Sequence, residues 1–344
     1  MVGPCMQAFT LIDPLVGLGW SDHWATLLAD HPGEPARVIR HDTKVLTVQT
    51  AARVLRIPME NASSDAVVGD WITVLDGRMN AMAPRSSLLT RPNVRGTGDQ
   101  VLAANVDVVF AVCGLDRPLP AGRVDRLASL AWDAGAAPIL VLSKTDIAED
   151  PVGVRAEMAA LHPTLDIIEV STKTGEGIAE MRDATAGKTA VLIGESGAGK
   201  SSIVNAMLGT EAADTGAVRE GDSKGRHTTT SRQIHIVPTG GCIVDSPGIR
   251  QIGAIGNPDA VDALFDDITD LGADCRFTDC SHTSEPGCAI LAAVESGAVD
   301  LLRYQRWRDL VTEAEETQQR ADERAKRAQA RSQGRQSKKR SRRR

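Results

Sequence analysis

Between residues 36 and 90 short runs rich in β-branched and apolar side chains follow one another: 37–40, 44–49, 53–58, 70–75 and 86–90. His41-Asp42, the polar stretch 61–65 and Asp76-Gly77 separate them as turn signals. Several short strands at close spacing predict a small barrel or sandwich. Five strands over residues 36–92 suit an OB-type barrel, a fold that often binds oligonucleotides, although an SH3-like barrel would give the same pattern. Trp71 alternates with apolar neighbours and is expected in the barrel core. Residues 1–35 form an extension, with Trp20 and Trp24 available to pack on a neighbour.

From about residue 100 to 254 the rhythm changes to strand–helix–strand. The segment 106–115 is a nearly continuous apolar run, as expected of a strand covered on both faces, 137–143 reads as another buried strand, and 165–171 and 189–194 continue the alternation. Residues 122–135, 176–185 and those after Lys200 have helical spacing. This alternation predicts a parallel sheet with helices on both sides, where ligands bind at the carboxyl ends of the strands. Residues 255–315 are helical and carry clustered cysteines, and a long polar helix over 297–330 passes into the basic tail of 316–344.

The 344 residues carry a net charge of −6, and its placement is uneven. Residues 320–344 hold 12 Lys/Arg against 2 Asp/Glu, a net +10, so the rest of the chain carries −16. Such a block suits an anionic partner or a solvated solubility tail. No apolar run is long enough to span a bilayer, and residues 1–14 lack the basic start of a signal peptide. Six cysteines are too few for a disulfide scaffold, so a reducing cytoplasmic location is expected.

Candidate chemistry lies at strand ends. The octapeptide Gly194, Glu195, Ser196, Gly197, Ala198, Gly199, Lys200, Ser201 matches G-x-x-x-x-G-K-[ST] between an apolar strand and a helix that continues through Ser202. Its backbone N–H groups would cradle a polyphosphate, Lys200 would meet the β- and γ-phosphates, and Ser201 would ligate Mg²⁺. Asp245 and Gly248 of the D-x-P-G run follow another strand, where the acid can hold Mg²⁺ through water and the glycine N–H can sense the γ-phosphate. Between them, in a polar loop, lie His227, Thr228 and Thr229, and one of the threonines would supply a second Mg²⁺ ligand.

Ser143, Lys144, Thr145 and Asp146 end the strand 137–143, and Ser171, Thr172 and Lys173 end the next. A carboxylate at Asp146 can accept two hydrogen bonds from the N1 and N2 donors of guanine. Adenine would leave it unpaired, which is the costly mismatch. The other dense constellation is Cys275, Cys280, His282 and Cys288, a closed Cys3His set of the kind that holds structural Zn²⁺. Cys113 and Cys242 fall in apolar strands and are expected to be core thiols.

The nucleotide motifs resemble the signature set of a GTPase in circularly permuted order, with the base-reading pair ahead of the P-loop. Together with the strand-rich segment and the Cys3His run, they make residues 36–315 resemble the RsgA (YjeQ) family of small-subunit ribosome biogenesis GTPases. The resemblance implies a multidomain chain: an OB-type barrel, a permuted α/β P-loop GTPase and a C-terminal helical zinc-binding domain. It implies GTP hydrolysis, one structural Zn²⁺, Mg²⁺ with the nucleotide, and binding of a monomer to the 30S subunit and its 16S rRNA late in maturation. The alternatives are a GTP-dependent placeholder with little turnover, or a P-loop ATPase or kinase unrelated to ribosomes. Two positions depart from common GTPase patterns. Ser143 stands where Asn usually ties the base loop to the P-loop, so looser nucleotide binding is expected. Ile249 stands where many GTPases carry a water-orienting Gln, and His227 is one candidate for the missing catalytic group, or else a loop residue or an RNA phosphate contact. Gly197 is not the Asn with which some Gln-less GTPases help bind K⁺.

Overall fold

The structure, a computed structural model, describes residues 14–42, 44–63, 65–92, 99–209, 232–245, 261–262 and 264–341. Strands β1 (Glu34–His41), β2 (Val45–Thr50), β3 (Val54–Pro58), β4 (Trp71–Leu75) and β5 (Arg78–Met82) pair antiparallel in the order β5-β4-β1-β2-β3. They enclose Val38, Leu46, Val48, Ile57, Ile72 and Val74. The fifth strand is not the expected 86–90. Asp76 and Gly77 both take left-handed φ, 51° and 73°, which closes a two-residue hairpin and returns the chain at once as Arg78–Met82. That strand contains no β-branched residue, so its pattern was faint. Leu88–Pro92 (β6) instead pairs with Asp99–Ala104 (β7) in a separate hairpin.

Strands β8 (Val108–Gly114), β9 (Ala137–Ser143), β10 (Asp166–Val170), β11 (Thr189–Gly194) and β13 (Cys242–Asp245) are parallel in the order β10-β9-β8-β11-β13. Strand β12 (Arg232–Ile236) adds to β13 antiparallel, a departure from the all-parallel expectation. Its other edge meets β1 through Arg40↔Gln233 and His41↔Arg232, so the sheets are continuous.

Period-two alternation sorts the strand side chains into two cores. Val109, Ala111, Leu140, Leu142, Val191 and Ile193 pack with α3 (Ala121–Asp133). Val108, Phe110, Val112, Val141 and Leu192 pack with α5 (Ile178–Thr185) and α6 (Lys200–Leu208). Helix α4 (Pro151–Leu161) follows β9 with Pro151 in its first turn and Asp150 accepting from Gly153 N. Burial pushes the Cys113 thiol up to about 12, as expected of a core cysteine.

The N-terminal helices α1 (Pro14–Gly17) and α2 (Asp22–Leu28) bring Trp20 and Trp24 onto Trp71, with ring centroids 5.0 and 6.0 Å away. Trp71 is buried, but against this extension rather than in the barrel core where the sequence placed it. Under it lies the buried Arg37, 4.8 Å from the ring centroid. Its guanidinium donates to the carbonyls of Leu18, Gly69 and Asn105, joining three parts of the chain.

C-terminal to the sheet come α7 (Asp266–Thr269), α8 (Ala289–Ser296) and α9 (Leu301–Ser341). Helix α9 has 41 residues, longer than the polar stretch 297–330 suggested. Its buried Trp307, Leu310 and Ala314 join the α3 core. Polar groups reinforce this seam. Arg303 donates to Leu161 O at 2.6 Å and pairs with Asp267 at 2.5 Å. Arg126 on α3 meets Glu313 on α9 at 2.8 Å. Asp125, wholly buried, lies 3.1 Å from Nδ1 of the equally buried His162 and 3.6 Å from Arg306 Nε. Among the described residues no helix is long and apolar enough to cross a membrane.

Candidate functional site

The carboxyl ends of β8, β9, β10, β11 and β13 face one side of the sheet, and the described nucleotide-motif residues gather there. The loop after β11 is shaped by glycine: Gly194 has φ 139°, and a Cβ on it would lie 2.2 Å from Val112 O, so only glycine fits beside β8. Gly197 and Gly199 follow at φ 83° and 91°, and α6 starts at Lys200. The loop and the first turn of α6 thereby make an N–H-lined anion cradle. Lys200 Nζ donates to Gly194 O at 2.7 Å and Glu195 O at 2.6 Å, which places the ammonium over that cradle.

The base-loop residues are wired to the same cradle. Ser143 is buried, and its Oγ donates to Ala198 O at 2.6 Å. The bond expected of Asn at this position is therefore made by the shorter side chain, because β9 and the P-loop approach closely. Lys144 adopts φ 64° and places Nζ 2.9 Å from Asp116 Oδ2. Asp146 accepts from Ser171 Oγ at 2.8 Å, and Lys173 Nζ lies 3.1 Å from its second oxygen. The Ser171 hydroxyl and then Lys173 hold its carboxyl below the ordinary value, so it stays ionised as an acceptor of two donors. The backbone N–H groups of Lys173 and Thr174 turn toward Ser171 Oγ, both at 3.3 Å, which fixes the second base loop, and Thr145 Oγ1 donates to Glu176. Thr172 is exposed in that loop.

Asp245 ends β13, next to β11 in the sheet. Burial pushes its carboxyl above the ordinary value while nearby His235 pulls it back. A divalent cation is the kind of neighbour that offsets that cost, and the Asp245 carboxylate and the Ser201 hydroxyl are each hard-oxygen donors of the kind Mg²⁺ takes. His227, Thr228, Thr229 and Gly248 lie outside the described residues.

Sequence reasoning missed the loop after β8. Asp116 pairs with Arg117 and Lys144, Arg117 reaches Glu195 of the P-loop at 3.7 Å, and Arg123 on the first turn of α3 pairs with Glu195 at 3.2 Å. The signal available was positional: a strand end followed by Asp116-Arg117 in a sheet whose other strand ends all carried motifs.

The Cys3His set also comes together. The ligand atoms of Cys275, Cys280, His282 and Cys288 lie within 4.8 Å of one another. Cys275 Sγ is 3.9 Å from Cys288 Sγ and 3.5 Å from His282 Nδ1, and Cys288 Sγ is 3.6 Å from Nδ1. Tetrahedral Zn²⁺ with ordinary bond lengths places S and S about 3.8 Å apart and S and N about 3.6 Å apart, so the residues fit the ion. Backbone N–H groups of Ala289 and Leu291 point at Cys275 and Cys288. His282 takes φ 58°, held by Tyr304 OH donating to its carbonyl at 2.6 Å, and its ring lies 5.7 Å from Trp307. The metal loop is thus braced by α9. Glu285 closes the turn by accepting from Ser281, Thr283 and Ser284, which holds its carboxyl far below the usual range.

Comparison with known proteins agrees with this geometry. The model of the RsgA GTPase family matches residues 82–255. An ABC transporter model also matches residues 182–338, a stretch that includes the P-loop strand–loop–helix shared by many nucleotide-binding families. The small ribosomal subunit biogenesis GTPase RsgA of Streptomyces coelicolor is 38% identical over 315 residues, covering 87% of this chain and 86% of that protein. RsgA 2 of Vibrio parahaemolyticus is 36% identical over 315 residues, covering 90% and 88%. Among solved structures, YjeQ from Thermotoga maritima superposes with TM-score 0.63 at 25% identity, covering 82% of this chain and 98% of that one. YloQ, described as a circularly permuted GTPase, has the same fold, with TM-score 0.63 at 20% identity and coverage of 83% and 96%.

Proposed function

Since the chain belongs to the RsgA family of small ribosomal subunit biogenesis GTPases, we infer that it hydrolyses GTP to GDP and phosphate while acting in assembly of the small ribosomal subunit. The observation that carries the nucleotide part is the join between the base loops and the P-loop: Ser143 bonded to Ala198, and Asp146 held ionised between Ser171 and Lys173. In this reading Asp146 reads guanine, Ser143, Lys144, Thr145, Ser171 and Thr172 shape the base pocket, and residues 194–202 hold the phosphates. Mg²⁺ is held by Ser201 and Thr229, with Asp245 and Gly248 beside the γ-phosphate. Lys200 neutralises phosphate charge, and His227 is the candidate for orienting water. Cys275, Cys280, His282 and Cys288 hold one structural Zn²⁺ that fixes the C-terminal module for contact with 16S rRNA. The basic segment 320–344 adds salt-dependent affinity for RNA phosphate. The chain acts as a monomer.

The test is base preference. Asp146→Asn should shift preference from GTP toward XTP, because an amide donates to xanthine's added carbonyl where a carboxylate would repel it. Retained GTP preference would show that another residue reads the base. Co-sedimentation with 30S rather than 50S subunits in the GTP state tests the partner.

A further inference from the structure

The loop between β8 and α3 places an arginine against the phosphate cradle that none of the nucleotide motifs includes. Asp116 Oδ2 accepts from Arg117 Nη2 at 3.1 Å and from Lys144 Nζ at 2.9 Å. With Arg117 and Lys144 donating to it, the Asp116 carboxyl is lowered to about 2 and stays ionised. The same Nη2 lies 3.8 Å from the point a Cβ on Gly197 would occupy, so the guanidinium flanks the P-loop itself. The other terminal nitrogen, Nη1, is 3.7 Å from Glu195 Oε2, a long pairing between two side chains that are each nearly half exposed. Glu195 has a second and shorter partner, Arg123 Nε at 3.2 Å.

These contacts are unequal in a useful way. An exposed pair at such a distance is worth little, so Nη1 is easily drawn off Glu195. Glu195 then remains paired with Arg123, and Asp116 still aims the guanidinium through Nη2. A triphosphate lying along the Gly194–Ser201 backbone presents oxygens beside Gly197, and a planar guanidinium is well suited to them.

We propose that Arg117 is a phosphate-contacting residue, which exchanges Glu195 for a nucleotide oxygen on the Gly197 side of the cradle when GTP is bound. The proposal rests on the GTPase assignment above and adds a residue to it. Negative charge gathers on the oxygens between the β- and γ-phosphates as the terminal bond breaks, so a cation there acts more strongly in the transition state than in the bound ground state. The order of charges also explains why a P-loop that must attract phosphate tolerates an acidic residue at Glu195: Arg123 is its shorter partner at 3.2 Å, and Arg117, at 3.7 Å, is a second partner only until phosphate arrives.

The experiment measures single-turnover GTP hydrolysis, affinity for a fluorescent GDP and a fluorescent non-hydrolysable GTP analogue, and thermal melting. The variants are Arg117→Ala, Arg117→Lys, Glu195→Gln and the Arg117→Ala/Glu195→Gln double. Arg117→Ala is expected to slow hydrolysis about tenfold or more with melting unchanged, and to weaken the GTP analogue more than GDP. Arg117→Lys should recover part of the loss, and Glu195→Gln should not rescue Arg117→Ala. Hydrolysis by Arg117→Ala within about twofold of the natural chain would overturn the proposal. So would full rescue in the double variant, which would reduce Arg117 to a counter-charge for Glu195. Lys200→Ala separates the two levels of inference. If it abolishes turnover while Arg117→Ala does not, the GTPase assignment stands and the role of Arg117 falls. If the natural chain neither binds nor hydrolyses GTP, the assignment itself falls.

Discussion

Helix α3 serves two regions that use charge in opposite ways. At its N-terminal turn, Arg123 meets Glu195 beside the P-loop, where Asp116, Arg117, Lys144 and Asp146 all retain contact with solvent. Scarcely a turn further along, Asp125 is sealed from solvent between His162 and Arg306, and Arg126 reaches Glu313. Pairs at the first region can be traded for a ligand because water screens the loss. The contacts of Asp125 cannot, because a buried charge left alone has nothing to replace its partner. The first region is built to exchange partners and the second to hold the C-terminal module in place. One rigid helix connects them.

The sharpest way to test that division is to remove the metal from the C-terminal side. Chelation, or Cys280→Ser, should unfold residues about 265–300 and loosen α9, since Tyr304 and Trp307 brace the Cys3His loop directly. Metal analysis of freshly purified protein should find one Zn²⁺ per chain. Fluorescent GDP affinity should survive chelation, because no described base-loop or P-loop residue touches the metal loop. Loss of nucleotide binding together with the metal would break the comparison.

Much of the exchanging region was legible in the sequence. Strands β8, β9 and β11 are buried on both faces and so read as continuous apolar runs, and the motif residues follow at their ends. The Cys3His spacing was equally direct. The holding region was not legible, because its charges resemble ordinary helix-surface residues until a second element covers them. Asp125 stands beside Val124, one residue off the apolar stripe, and it is buried only because His162 at the end of α4 and Arg306 on α9 close over it. Arg37 was hidden for the same reason, among strand residues that normally face water. Strand β5 escaped because its pairing is imposed by the Asp76-Gly77 turn rather than by its own side chains.

The next prediction concerns that buried charge. Asp125→Ala strands Arg306 and His162 without their carboxylate and should lower stability by about 3–5 kcal/mol, measured by denaturant unfolding. Asp125→Asn keeps the shape and should cost less. GTP turnover, measured well below the melting temperature, should change little in either variant. A parallel fall in turnover without loss of stability would mean that the seam belongs to the nucleotide machinery, and α3 would then be a transmitter rather than a shared support.

The smallest expected effect is at Ser143, where sequence and structure point in different directions. Serine in place of Asn suggests a looser tie between base loop and P-loop. The structure instead has Ser143 Oγ donating to Ala198 O at 2.6 Å, in a setting only 2% exposed. Ser143→Ala removes that donor and leaves a buried carbonyl unsatisfied, a loss of about 1–3 kcal/mol. Part of that should appear as weaker GDP binding, by up to about tenfold, because the loop holding Asp146 loses its anchor to the phosphate cradle. Ser143→Asn separates the explanations. If the two loops need more reach than serine has, the larger amide should tighten nucleotide binding. If they already meet, as the 2.6 Å bond indicates, the amide must push them apart, and Ser143→Asn should bind GDP no better than the natural chain while melting at a lower temperature.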